Sequence, residues 1–211
     1  MFPPRVTGAR SGRGVAFAPL RVDGPGAGES DSGPTLAVGT DRRGSTVQFS
    51  VTETIAATRD EVLRSLVDPD YYTFLGDHAT SVRAPELLSA SDDGGIVRTR
   101  VRYAFDGTIS GPAARVVDAH KLTWVLETAY DSTEHSGTFV VVPDHYAGLL
   151  RCTGTLTLTG TDGVTVETVT GRLKVNVPLL AGAAERAILG GFTRHLEIEA
   201  RALADYCTGP R

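Results

Sequence analysis

The chain has 211 residues, of which 41% are hydrophobic and 22% charged, and its formal net charge is -4. This length and composition predict one globular domain with room for a terminal extension. The mildly acidic balance disfavours general binding to nucleic acid or to an anionic membrane surface.

The cysteines and the apolar runs disfavour several other classes. Cys152 and Cys207 are too few for a disulfide framework, and their spacing matches no zinc motif. The longest apolar run, near residues 177–184, is much shorter than the ~20 residues of a membrane span. The amino-terminal arginines adjoin no continuous apolar segment, so no secretory signal is predicted and a cytoplasmic location is expected.

Residues 1–45 differ in composition from the rest of the chain. They hold five prolines, nine glycines and two aromatic residues, with no helical or strand periodicity. Such a segment buries too little apolar surface to offset the entropy lost on ordering it. We therefore expect a disordered extension over 1–45 and a folded domain over 46–211. Six arginines against four acids leave open a basic tether or targeting arm.

The folded domain is predicted to begin with a strand and two short helices. Residues 47–55 alternate apolar and polar side chains, as a half-buried strand does. Thr58 and Glu61 have the spacing of a capping box in front of a helical apolar stripe. The pair Asp68-Pro69 then supplies an N-cap and a first-turn proline for a second helix over 69–75.

A long β region follows these helices. Period-two alternation or turn-bounded apolar runs predict strands near 81–89, 96–105, 122–129, 137–142, 150–158 and 164–175. Turn signals rich in Asp and Gly separate the strands, which indicates an antiparallel meander. Arg98, Arg100 and Arg102 share one side of their strand and are most simply its exposed outer face.

The chain ends in one long predicted helix. Asn176 and Pro178 mark its start, and helix-forming residues continue to about Tyr206. The pair Gly190-Gly191 in its middle costs about 1 kcal/mol per glycine relative to alanine, which predicts a bend or a close approach there. The predicted apolar face comprises Ala181, Ala184, Ile188, Phe192, Leu196 and Leu203.

This order of elements predicts an α+β fold with one curved antiparallel sheet of about seven strands. The sheet must bury one face, and only the last helix is long enough to cover it. Over residues 47–207 the order resembles the helix-grip superfamily, also called START-like or Bet v 1-like (SRPBCC). The segment 171–186, in which a strand runs through Val-Pro-Leu into the last helix, is similar to an actinobacterial branch of unknown function.

The resemblance implies a hydrophobic ligand cavity between the sheet and the last helix. Members of the superfamily include lipid carriers, hormone receptors and polyketide aromatase/cyclases, so the fold does not decide among them. We expect a monomer or homodimer that binds or carries a hydrophobic small molecule or lipid, without catalysis, cofactor or nucleic acid. One alternative is a polyketide cyclase/aromatase-type or dehydratase-type enzyme using the same cavity; another is a client-binding module that uses its surface.

The residues expected to line the cavity lie on the second short helix, two strands and the last helix. On a 100° wheel, His195 and Glu199 share the face of Ile188 and stand four residues apart. They form either a polar anchor or acid–base pair inside the cavity, or a solvated pair at its rim. No catalytic residue is assigned. No metal site is assigned either, because Asp118 and His120 lack a third ligand at matching spacing. The apolar candidates are Tyr72, Phe74, Val101, Tyr103, Phe105, Trp124, Ile188 and Phe192.

Overall fold

The computed structural model describes residues 35–40, 46–79, 82–106, 118–176 and 181–209. Its strands are β1 (Thr35–Thr40), β2 (Val47–Ile55), β3 (Val82–Asp93), β4 (Ile96–Phe105), β5 (Thr123–Asp131), β6 (Ser136–Pro143), β7 (Leu150–Thr159) and β8 (Thr165–Val175). They form one antiparallel sheet in the order β1-β2-β8-β7-β6-β5-β4-β3. The helices are α1 (Arg59–Leu66), α2 (Pro69–His78) and α3 (Ala181–Thr208), with a 3₁₀ turn at Ala119–Lys121. This is the predicted α+β architecture, with one strand more than expected.

The additional strand lies in the segment that was expected to be unstructured. β1 pairs with β2 in a continuous antiparallel register from Thr35↔Thr52 to Thr40↔Val47. The expectation was wrong for residues 35–40, because the free edge of β2 supplies the hydrogen-bonding partners that so short a segment lacks in isolation. Residues 1–34 and 41–45 lie outside the described residues.

The two short helices begin where their capping residues predict. The Glu61 amide donates to the Thr58 hydroxyl at 3.3 Å, and the Glu61 carboxylate accepts from the Thr58 amide at 2.8 Å. Asp68 caps α2 by accepting from the Asp70 amide at 3.1 Å, with Pro69 in the first turn. Both helices pack against α3, and α2 also packs on β3.

Helix α3 reaches the sheet above two inward-facing glycines. Gly154 and Gly171 are directly opposite each other on β7 and β8. A Cβ at Gly171 would lie 2.5 Å from Cζ of Phe49, and one at Gly154 would lie 2.6 Å from Cε1 of Phe139. The two phenyl rings therefore lie directly against the backbone of the strands at these glycines. Phe192 of α3 meets Phe49 edge to face at 5.3 Å between ring centroids and stacks on Phe139 at 6.4 Å.

The buried face of α3 is rotated from the predicted one. Ile188, placed at its centre by the helical wheel, is 38% exposed, whereas Leu189, outside the predicted face, is buried together with Leu196 and Leu203 of that face. The helix packs on β2, β8, α1 and α2, which places the stripe beside Ile188 against the core. Apolar periodicity alone could not locate the stripe, because polar residues also occupy the buried face.

The structure shows the surroundings of the two central glycines of α3 and of Glu185 near its start. Gly190 and Gly191 accept an added Cβ with nothing within 4 Å of it, so no close approach requires either glycine. Near the helix start, Glu185 is buried and its carboxylate accepts from the Val175 amide of β8 at 3.1 Å. The predicted helix start near Pro178 and the Val-Pro-Leu segment fall on residues 177–180, outside the described residues.

No helix of the described part is long and apolar enough to cross a membrane.

Candidate ligand-binding site

The inner face of the sheet is covered well at one end and incompletely at the other. Near the β3–β4, β5–β6 and β7–β8 turns, inward residues such as Val97, Tyr130 and Leu156 are buried. At the opposite end, five inward-facing side chains of β4 to β7 are only half-buried: Phe105, Trp124, Leu126, Val141 and Leu150. We call these five residues the apolar inner surface. Because α3 packs mainly on β2 and β8, it leaves this surface partly uncovered.

Two candidates from the sequence border this surface and a third lies apart from it. Val101 is buried beside Leu126, its partner across the β4–β5 ladder. Phe192 is half-buried and stacks on Phe139 of β6, next to this surface. Ile188, four residues earlier on α3, is exposed, and no described contact joins it to the apolar inner surface.

The two α2 candidates pack against helices. Tyr72 is buried, and its hydroxyl donates to the Leu66 carbonyl at 2.8 Å. Phe74 is half-buried, stacks on His78 at 4.0 Å between ring centroids and packs against Tyr206 of α3. These contacts give both residues a structural role in joining α2 to its surroundings.

Tyr103 connects the apolar inner surface to a group of buried polar residues. Its ring stacks on Trp124 at 5.9 Å and meets the His195 ring edge to face at 5.2 Å. Its hydroxyl forms a hydrogen bond with the Glu199 carboxyl. The His195 Nε2 and Glu199 Oε2 atoms are 3.8 Å apart, and the two side chains are only 10% and 14% exposed. The pair is therefore inside the protein rather than at a solvated rim.

Two further carboxylates that the sequence analysis missed lie on the same inner face. Glu53 and Glu167 are direct cross-strand partners on β2 and β8. Glu53 is buried in line with Val51 and Ile55, so its side chain points toward the helix layer. We call Glu53, Glu167 and Glu199 the carboxyl cluster. The alternation of residues 47–55 already placed Glu53 on the apolar side of its strand, but the pairing with Glu167 depends on long-range register.

Burial and mutual repulsion alter the protonation of this region. Burial, together with the nearby Glu167 carboxylate, raises the pKa of Glu199 to about 8 against the opposing hydrogen bond from Tyr103. Burial and the adjacent Glu53 raise the pKa of Glu167 to about 7. Burial lowers the pKa of His195 to about 4. Near neutral pH, a protonated carboxyl of Glu199 thus lies beside a neutral imidazole.

Contacts within the fold account for three other groups that could carry chemistry: Cys152, the Asp118 and His120 pair, and the arginines of β4. Cys152 is buried, and burial raises the pKa of its thiol to about 12, so it stays protonated. The Asp118 carboxylate accepts from the His120 amide at 3.0 Å and caps the 3₁₀ turn. The arginine stripe on the outer face of β4 is ion-paired, with Arg100 3.0 Å from Glu127 and Arg102 3.2 Å from Asp144.

A curled antiparallel sheet, two short helices after β2 and a long carboxy-terminal helix define a helix-grip protein. Three solved structures share this fold. They are TTHA0849 from Thermus thermophilus (TM-score 0.53, 16% identity, 76% of this chain and 96% of that chain), the Zhui aromatase/cyclase from Streptomyces sp. R1128 (0.54, 17%, 77% and 93%) and a STAR-related lipid transfer protein from Xanthomonas axonopodis (0.54, 16%, 86% and 97%). At these identities the likeness establishes the fold alone.

The sequence itself assigns the chain to a family. Residues 50–207 match the family described as "Protein of unknown function (DUF2505)", and the chain belongs to that family. No curated protein matches the chain in sequence.

Proposed function

We propose that this protein binds a hydrophobic small molecule or lipid between the apolar inner surface and α3, without turnover. The observation that carries the proposal is the row of half-buried inward side chains on β4 to β7, which ends at the polar group of Tyr103, His195 and Glu199. Apolar burial is worth about 25 cal/mol per Å², so a ligand that covers about 200 Å² of such surface gains about 5 kcal/mol before the costs of association.

The fold neighbours agree with a hydrophobic-ligand role in general terms. One is titled an aromatase/cyclase and another a lipid transfer protein. They support the class of ligand and leave the choice between carriage and catalysis to experiment. A cytoplasmic location, a monomeric or homodimeric state and an actinobacterial affiliation remain parts of this proposal.

Two adjacent residues of β6 offer a matched test of binding. Val141 faces inward within the apolar inner surface, whereas Val140 faces outward and is 41% exposed. Binding of the neutral fluorophore N-phenyl-1-naphthylamine is measured for the wild type and for Val141→Asn and Val140→Asn. We expect Val141→Asn to weaken binding by about fivefold or more, because it places an amide where apolar ligand atoms are buried, and Val140→Asn to change it by less than about twofold. Equal effects of the two substitutions, or no binding by the wild type, would refute the proposal.

A second candidate function is acid–base catalysis of the cyclase, aromatase or dehydratase type. The observation favouring it is the protonated Glu199 carboxyl beside the neutral His195 imidazole, since one can donate and the other accept a proton in the same reaction. Turnover of candidate cyclic ketones by the wild type and by His195→Ala and Glu199→Ala tests it. Loss of turnover in both variants supports catalysis, whereas unchanged turnover removes these two residues from any mechanism.

A further inference from the structure

The carboxyl cluster gathers three acidic side chains from three elements on the inner side of the protein. Glu53 and Glu167 are directly opposite on neighbouring strands, where like charges destabilise a sheet. Glu199 approaches from α3, where the Glu167 carboxylate adds to burial in raising the pKa of its carboxyl. Three carboxylates gathered in this way need a compensating positive charge or shared protons.

The described cations around the cluster do not supply that charge. Arg201 is the basic side chain that acts on Glu53, but its guanidinium is largely exposed and already ion-paired with Glu197. His195 is neutral near pH 7, because burial lowers the pKa of its imidazole to about 4. The other titratable groups that act on the cluster are Glu197 from α3, whose charge acts on Glu53, and three tyrosines: Tyr71 and Tyr72 from α2, and Tyr103 from β4.

Unpartnered polar atoms in the same region provide an independent indication of a ligand. Tyr71 is completely buried, and its hydroxyl has no hydrogen-bond partner among the described residues, although it lies within electrostatic range of Glu199 and Glu167. Oε1 of the buried Glu53 likewise lacks a partner in the described part of the chain. Leaving a buried polar atom without a partner is unfavourable, so a ligand group that satisfies either atom is favoured.

The chemistry of these atoms defines what would satisfy them. Carboxylates only accept hydrogen bonds, and a tyrosine hydroxyl can accept one as well. An ammonium group carries a positive charge and up to three donors, which matches several acceptors at once. Among the described residues, no three acidic, histidine or cysteine side chains have the geometry of a metal site, which favours an organic cation.

We propose that the ligand of this protein is an amphiphilic amine whose protonated nitrogen binds at the carboxyl cluster of Glu53, Glu167 and Glu199. The inference rests on the proposed function, since the apolar part of the ligand lies on the apolar inner surface. Tyr103 makes the two regions contiguous, because it contacts Trp124 on one side and Glu199 on the other. Binding of the cation favours the ionised carboxyls, so complex formation releases protons.

The test compares two molecules that differ only in their polar end. Decylamine and decanol, both below their aggregation limits, displace N-phenyl-1-naphthylamine from the wild type at pH 8, where the amine is still protonated. We expect decylamine to act at a concentration at least about tenfold lower than decanol. Its apparent affinity rises between pH 6 and pH 8 as the cluster ionises, whereas that of decanol stays constant.

Substitutions test whether the preference for decylamine comes from the carboxyl cluster or from the general attraction of a cation to an acidic protein. In Glu167→Gln/Glu199→Gln the preference for decylamine is expected to fall to about threefold or less. Asp205→Asn removes an exposed acid from the same helix and is expected to retain the preference. Equal displacement by the two molecules in the wild type, or a preference that survives the double substitution, overturns the inference while leaving hydrophobic binding intact. Failure of the fluorophore to bind refutes the proposed function and with it this inference.

Discussion

Replacing Glu199 by glutamine tests the electrostatic account of the site through folding stability. The glutamine amide resembles the protonated carboxyl in size but cannot ionise. In the folded protein the pKa of Glu199 is raised from its ordinary value of 4.5 to about 8, chiefly by burial and then by Glu167. The folded state therefore retains a proton that the unfolded chain has released over this range of pH.

The sign and the size of the effect follow from proton linkage. Between about pH 4.5 and 8 the folded state binds more protons than the unfolded state, so the wild type loses stability as the pH rises through this window. One pKa unit corresponds to about 1.4 kcal/mol, which sets a ceiling of about 5 kcal/mol for the whole shift. Glu199→Gln should match the wild type at pH 5 to within about 1 kcal/mol and exceed its stability by several kcal/mol at pH 9.

Urea unfolding at pH 5, 7 and 9 measures this difference through the fluorescence of Trp124, the single tryptophan of the chain. Asp205→Asn provides the matched control, because Asp205 is an exposed acid on the same helix. The control should leave the slope of stability against pH nearly unchanged. Parallel profiles for Glu199→Gln and the wild type from pH 5 to pH 9 would refute the account of a buried, protonated carboxyl.

Three further predictions concern the framework that holds the site, and each is measured by urea unfolding at pH 6. Gly171→Ala should destabilise the fold by about 1–3 kcal/mol, since the new Cβ would overlap the Phe49 ring; unchanged stability would contradict the close approach of that ring to the strand. Gly190→Ala and Gly191→Ala should each stabilise by about 0.5–1 kcal/mol, because α3 continues through both positions and the added methyl meets open space. A loss of stability there would indicate that the helix needs glycine. Thr58→Ala should cost about 1 kcal/mol through loss of the capping box, while Thr58→Ser, which keeps the hydroxyl, should cost much less.

Features encoded by neighbouring residues could be predicted well from the sequence. The capping box at Thr58 and the Asp68-Pro69 pair located the starts of α1 and α2, because a capping side chain bonds to backbone amides two or three residues away. Alternation likewise identified β4 at Ile96–Phe105. The order of these elements was sufficient for the α+β architecture, since a long terminal helix and a one-sided sheet have few ways to bury their apolar faces.

Features that depend on distant partners were missed or misplaced. β1 was not predicted, because its stability comes from the edge of β2 rather than from a pattern of its own. The wheel centred the apolar face of α3 on Ile188, whereas the structure exposes that residue and buries Leu189, which lies outside the predicted face. Which stripe of a helix is buried depends on the elements that surround it, and α3 packs mainly on two strands and two helices.

The candidate site shows the same division between local pattern and long-range pairing. Alternation along residues 47–55 is enough to place Glu53 among the apolar side chains of its strand. It carries no information on what stands opposite, and the approach of Glu167 and Glu199 follows from strand register and from the rotation of α3. Side-chain direction is a property of the local backbone, whereas the distance between two charges is set by the packing of whole elements, and the electrostatics of this site depend on that distance.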